Sequence, residues 1–326
     1  MRKILIRLLG VLAVLVSIYF IGALALVTFG VPGESVGGET LRFDELTNDA
    51  VQLPPLQTYT ARDGSPLMYR HYAVDSDRAL ILLHGSGSHS EYLYPLAMAI
   101  AASGEANVYT PDLRGHGENP ERRGDIDYID QFIDDVADLM AHIQEERSFA
   151  QIIVGGHSSG GGLTLRFAES DYNNQADAYL LLAPYVAFNA PTTRPNSGGW
   201  ATPYTGRIIG LILLNNVGIT ALNGLPAIDF DMPPEFRTGT ETLSYTYRLN
   251  TGYAPQNYAV ALEAIDVPLL LVAGGADEAF FADQYESTVT AYTEADVVIL
   301  PDVSHMGAVV DEDVQMPVIE WLQNLK

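Results

Sequence analysis

"GGHSSGGG", residues 155–162, follows directly on the apolar run Gln151 to Val154 and runs into a helix-length segment, Gly161 to Glu169. Within it, Gly156-His157-Ser158-Ser159-Gly160 is G-x-S-x-G at a strand-to-helix junction, the setting of a nucleophile elbow. The need for glycine is steric. A turn this sharp holds the serine in a strained backbone conformation, and side chains two residues to either side would collide, so Gly156 and Gly160 have none. The turn also places the Ser159 N–H at a helix N-terminus, facing the point where an oxyanion develops. Ser159 does not fit as the nucleophile, because His157 stands where its glycine would be needed. A plain glycine turn has the same five letters, so the other strand ends must decide between the two.

Outward from the elbow, short apolar runs recur at Ala79 to Leu83, Asn107 to Thr110, Ala178 to Leu182, Pro268 to Ala273 and Asp296 to Leu300. Most are separated by segments of helical length, Tyr92 to Ala102, Tyr128 to Glu146 and, near the C-terminus, Val314 to Leu325. Such alternation predicts an α/β fold with a mostly parallel sheet covered on both faces. A hairpin with its turn at Arg62-Asp-Gly-Ser65 precedes it. The alternation breaks between Pro184 and Ala264, a stretch too long for a structureless loop in a compact domain. It is expected to be an inserted cap, about residues 185–264, with an apolar helix near Gly206 to Val217. Ile208, Leu211 and Leu214 are its candidate acyl-chain surface; ordinary packing against the main domain is the alternative.

The remaining chemistry gathers at strand ends. His84-Gly85-Ser86-Gly87 follows the run ending at Leu83, and an acyl-transfer site needs a second backbone donor from such a loop. Ser86 N–H is the candidate, with Gly87 as the alternative, while His84 reads as a side chain tying down the loop. "GGADEAF" after the 268–273 run offers Asp277, with Glu278 as fallback, and "PDVSHMG" after the 296–300 run offers His305, the only histidine C-terminal to the serine. Serine, acid, histidine is the chain order this fold requires.

Together, "HGSGSHSEYLYPLA", "VYTPDLRGHGENPERRGDIDYIDQFIDDV", "GGHSSGGG", "GGADEAF" and "SHMG" resemble the monoglyceride lipase and lysophospholipase group of α/β-hydrolases, often classed with serine aminopeptidases. The resemblance covers roughly residues 57 to 325 and is most specific from Leu80 to Ala168. It implies an α/β-hydrolase fold with a Ser158, Asp277, His305 triad, an oxyanion hole from Ser86 and Ser159, and structural roles for Asp112, Asp134 and Asp135. The expected substrate is a lipid-type ester such as a monoacylglycerol or lysophospholipid, cleaved without metal or other cofactor. The cap segment "NAPTTRPNSGGWATPYTG" has no residue-by-residue match in the family pattern. A serine aminopeptidase would use the same triad, and Asp229, Asp231, Glu235 and Glu241 could receive a substrate amine. A membrane-anchored binding module with a dead hydrolase fold is the other alternative, although no triad member is missing.

Composition bounds the partners. With 48% apolar and 18% charged residues the chain is globular in type, and the absence of cysteine excludes disulfides, a thiol nucleophile and Cys-based metal sites. Arg2, Lys3 and Arg7 precede an uncharged run from Leu8 to Phe29, 22 residues, enough for a helix to cross a bilayer. The basic flank followed by an acidic segment predicts a cytoplasmic N-terminus and a catalytic domain on the outer side of the cell membrane. A secreted form, cleaved after Ala23-Leu24-Ala25, is the alternative. Residues 30–56 then read as a tether and 57–326 as the hydrolase domain. Beyond residue 29, fourteen basic residues face forty-one acidic ones, which disfavours nucleic acid and gives an anionic surface no basic patch to hold.

Overall fold

The computed structural model describes residues 2–32, 41–46 and 52–325. Much of the expected tether, 33–40 and 47–51, therefore lies outside the described residues. An N-terminal helix α1 (Arg2–Phe29) precedes the hairpin β1 (Gln57–Thr60) and β2 (Pro66–Tyr72), then β3 (Arg78–Leu83), α2 (Tyr94–Ser103), β4 (Asn107–Asp112), α3 (Gln131–Glu146), β5 (Gln151–His157), α4 (Ser159–Ala168) and β6 (Ala178–Leu182). The insertion follows, with β7 (Ala201–Pro203), α5 (Thr205–Asn215), β8 (Pro226–Phe230), β9 (Ser244–Thr246), α6 (Tyr247–Gly252) and α7 (Tyr258–Glu263). The main fold resumes with β10 (Leu269–Gly274), α8 (Tyr285–Val289), β11 (Asp296–Leu300), α9 (Gly307–Val310) and α10 (Glu312–Asn324).

Eight strands form one sheet in the order β1-β2-β4-β3-β5-β6-β10-β11; the β1–β2 and β2–β4 pairs are antiparallel and the rest parallel. The central strands are buried on both faces, so their sequences are continuous apolar runs. Alternate side chains divide between two cores. Ile81, Leu83, Val154 and Leu181 join the layer containing α3 and α4, while Leu80, Leu82, Ile153 and Leu180 join that of α2 and α10. Parallel pairing brings the C-terminal ends of β3, β5, β6, β10 and β11 to one edge: Leu83 is level with Gly156, His157 with Leu182, and Gly274 with Leu300. In an open α/β sheet that edge is where ligands bind.

The insertion contains a small antiparallel sheet, β7-β8-β9, as well as the expected helix. Here the structure departs from the sequence expectation. Leu211 and Leu214 are buried with Ala23 and Val27 of α1, and Ile208 packs at the margin of the same cluster. This apolar stripe thus covers the N-terminal helix and is not left open to an acyl chain. The physical reason is that α1 lies directly along that stripe, with Gly210 letting the two backbones approach closely, so these side chains are taken up by helix–helix packing.

Candidate active site

Ser158 sits between the end of β5 and the first residue of α4 with φ 56° and ψ −121°, a conformation that side-chain-bearing residues rarely adopt. Its glycine neighbours make the turn possible. A Cβ on Gly156 would stand 2.3 Å from the Gly160 carbonyl, and one on Gly160 would stand 2.3 Å from the Leu83 carbonyl oxygen. Backbone atoms cannot yield as a flexible side chain can, so even alanine at either position would force main-chain segments apart.

From Ser158 a continuous hydrogen-bonded chain runs inward. Its Oγ lies 3.0 Å from His305 Nε2, and His305 Nδ1 lies 2.9 Å from Asp277 Oδ2. Because an ionised carboxylate only accepts, the imidazole proton sits on Nδ1, leaving Nε2 to accept from the serine hydroxyl. The second Asp277 oxygen accepts the backbone N–H groups of Ala279 (2.7 Å) and Phe280 (2.9 Å), which fix the carboxylate. Asp277 and His305 are both buried, and Ser158 remains partly open. Glu278, the fallback acid, points elsewhere: its Oε2 accepts the backbone N–H of His305 at 3.0 Å and so positions the loop, not the ring.

The 84–87 loop packs directly on the elbow. A Cβ on Gly85 would lie 3.0 Å from Ser158 Cβ, and Ser86 Oγ donates to Ser159 Oγ at 2.9 Å. Ser159 is the first residue of α4, so its N–H has no intrahelical acceptor. The Gly87 N–H donates to the Tyr245 hydroxyl of β9 at 2.8 Å, which ties that alternative donor to the cap. His84 braces the loop: Nδ1–H donates to the Gly85 carbonyl (2.8 Å) and Nε2 accepts the Leu113 N–H (3.0 Å). Burial pushes its pKa down to about 4, so it stays neutral. Asp112 accepts the Ser90 N–H, Asp135 binds Arg114 through two bonds of 2.7 and 2.9 Å, and Asp134 pairs with Arg62.

Three groups in this neighbourhood carry no signal in the sequence. The Gly85 N–H donates to Tyr92 Oη at 2.6 Å, that hydroxyl donates to His157 Nδ1 at 2.8 Å, and His157 Nε2–H donates to the His305 carbonyl at 3.0 Å. This buried relay joins the 84–87 loop, the elbow and the loop that carries His305. Burial, with the His305 ring alongside, holds the His157 pKa well below the usual imidazole value. From the N-terminal segment, Phe43 packs on Trp200 (centroids 5.1 Å apart) while Glu45 accepts a hydrogen bond from Ser304, next to His305. Arg194 of the insertion donates to the Phe280 carbonyl at 3.0 Å and closes the far side of the acid loop.

Two cavities, of about 400 and 500 Å³, lie at the base of the cap beside Val31 and Pro32; none of Ser158, Asp277 and His305 lines either. No group of histidines and carboxylates among the described residues could hold a metal ion. The carboxylates suggested for a substrate amine are partly engaged. Asp229 accepts from Tyr204 Oη, and Glu241 accepts the Thr238 and Gly239 N–H groups of its own turn, with its pKa lowered: these backbone donors and the Thr238 hydroxyl outweigh the opposing effect of burial, the largest single influence.

Residues 75–306 match the profile of the family described as serine aminopeptidase, S33. The monoacylglycerol lipase of Mycolicibacterium smegmatis is 28% identical over 125 residues, 38% of this chain and 44% of that protein, so the aligned part spans less than half of that relative. Human monoglyceride lipase is 25% identical over 224 residues, covering 66% of this chain and 71% of its own. In fold, the chain is similar to the crystal structure of the Paleococcus ferrophilus monoacylglycerol lipase (TM-score 0.60, 17% identity, 80% of this chain and 99% of that one). It is also similar to a soluble variant of the Saccharomyces cerevisiae monoglyceride lipase (TM-score 0.63, 16% identity, 85% and 97%).

Proposed function

The chain belongs to the serine aminopeptidase (S33) family of α/β-hydrolases, and from that membership together with the strand-end geometry we propose that it hydrolyses carboxylic esters, of a lipid type such as a monoacylglycerol or lysophospholipid, through an acyl-enzyme on Ser158. The observation that carries the reading is the unbroken sequence of contacts from Ser158 Oγ through His305 to Asp277, the last held by two backbone donors. Ser158 attacks the ester carbonyl as His305 Nε2 takes its proton. Asp277 keeps the ring in the Nδ1–H tautomer and stabilises the imidazolium that forms. The N–H groups of Ser86 and Ser159 receive the oxyanion, where loss of one donor typically costs about 3 to 4 kcal/mol of transition-state stabilisation. The imidazolium then gives its proton to the leaving alcohol, and a water activated by the same ring releases the acid. Each step uses the chain's own residues.

The same reading takes α1 as a membrane span, with the catalytic domain on the outer side. Its 28 residues form a helix of high hydropathy whose apolar side chains are largely exposed. A panel of p-nitrophenyl esters, monoacylglycerols, lysophospholipids and aminoacyl anilides tests the chemistry. Ester turnover with monoacylglycerol or lysophospholipid favoured is the expected result; faster release from aminoacyl anilides would transfer the assignment to amide hydrolysis.

A further inference from the structure

The run Ile208 to Ile228, 21 residues, contains no Asp, Glu, Lys or Arg in an otherwise strongly acidic domain. Its helical part, α5, lies antiparallel along the outer half of α1. Gly206 lies against Gly30, and Gly210 against Ala23 and Val27, so closely that a Cβ on Gly210 would stand 2.7 Å from the Ala23 carbonyl oxygen. Farther along, the Tyr19 hydroxyl donates to the Leu213 carbonyl at 2.5 Å. Close backbone approach at small residues is how helices associate in lipid, where apolar side chains gain nothing by leaving their surroundings. Tyr19, placed within an apolar helix, finds its acceptor among the last carbonyls of α5, which lack intrahelical donors.

The side of α5 turned away from α1 is bare, apolar at Ile209 and Ile212, and ends at the exposed Asn216. Ile209 is 46% and Ile212 42% exposed, and the turn beyond adds Val217 at 50%. On α1, Ile18, Ile21 and Leu24 are likewise exposed, and no charged residue lies between Leu8 and Phe29. From Gly30 to Tyr19 the paired stretch is about 16 Å long at 1.5 Å per residue, roughly half the ~30 Å hydrocarbon core. Arg207 stands at the upper end, its guanidinium donating to the Val27 and Pro226 carbonyls, where a cation at the lipid–water boundary belongs.

We propose that α5 and its following turn enter the outer leaflet beside α1, so that the exposed α5 face is covered by lipid acyl chains and the cap is held to the bilayer by a two-helix wedge. The inference rests on the reading of α1 as a membrane span. Because the chain has no cysteine, single cysteines can report it: Leu12→Cys, Ile212→Cys, Val217→Cys and, on the sheet domain, Tyr292→Cys, each carrying bimane in the full chain reconstituted into phosphatidylcholine vesicles. A nitroxide on the phospholipid acyl chain is expected to quench the probes at 12, 212 and 217 and to leave that at 292 bright. Quenching at 12 without quenching at 212 and 217 would overturn the wedge and leave the anchor standing; no quenching at 12 would overturn both. In a Gly210→Leu background, which forces α5 off α1, quenching at 212 should fall while that at 12 persists. Undiminished quenching at 212 would mean that α1 does not carry α5 into lipid, contradicting the wedge.

Discussion

The strand ends of the sheet and the inserted cap are built on different constraints. At the elbow the backbone itself is the constraint: Gly156 and Gly160 each face main-chain atoms at 2.3 Å, and Ser158 holds a positive φ. In the cap, Gly224 meets nothing nearer than the Arg248 guanidinium at 3.6 Å, while Gly210 and the apolar stripe of α5 are constrained by a helix nearly two hundred residues earlier in the chain. Local stereochemistry writes itself into a short motif. A distant packing partner leaves only an apolar stripe, which reads the same whether it faces a substrate, a core or another helix.

Substitutions in the proposed triad give the largest effects by which this contrast can be broken. Asp277→Asn should lower turnover about 10⁴-fold by favouring the wrong histidine tautomer. Ser158→Ala and His305→Ala should each lower turnover by several orders of magnitude, and the double variant should be hardly worse than either, because the residues act as a unit. Steady-state kinetics on a soluble ester check this, and additive losses would separate the groups. Next comes the backbone: Gly160→Ala should destabilise the domain by about 1 to 3 kcal/mol and cut activity, since the added carbon meets the carbonyls of Leu83 and His84, whereas Gly224→Ala should be near neutral. Denaturant melts of the two variants compare sheet and cap directly.

A further substitution bears on the cap alone. Leu211→Asp buries a carboxylate between α1 and α5, so losses should be alike for long-chain and acetyl esters, in keeping with a packing role. A selective loss on long chains would restore the acyl-pocket expectation. The smallest effect concerns pH. His84 is neutral when folded and its pKa is pushed down to about 4, while the unfolded chain takes up that proton near pH 6.5. Its contribution to stability is therefore complete above about pH 6.5 and is lost as pH falls toward 4. His84→Gln, which keeps an acceptor for the Leu113 N–H, should show a shallower fall in melting temperature across that window than the wild type.

Much of the frame was legible because each feature has a local cause. Parallel central strands show as continuous apolar runs, the elbow as spaced glycines, and Asp277 and His305 as polar residues directly after two such runs. The hairpin at Arg62 to Ser65 and the interrupted alternation from Pro184 to Ala264 are visible for similar reasons. What stayed hidden depends on contacts between distant segments. Tyr92 and His157 become a relay only once three loops meet, and Glu45 reaches Ser304 across most of the chain. The β7-β8-β9 sheet was unreadable because β7 and β9 have three residues each, too few to show any period.

The nucleophile can be tested most directly by treating the full chain with a fluorophosphonate, digesting it and locating the adduct by mass spectrometry. Modification of Ser158, absent from Ser158→Ala and strongly reduced in His305→Ala, is the predicted result. An adduct on another serine, undiminished labelling of Ser158→Ala, or a folded wild type that takes up no probe would contradict it.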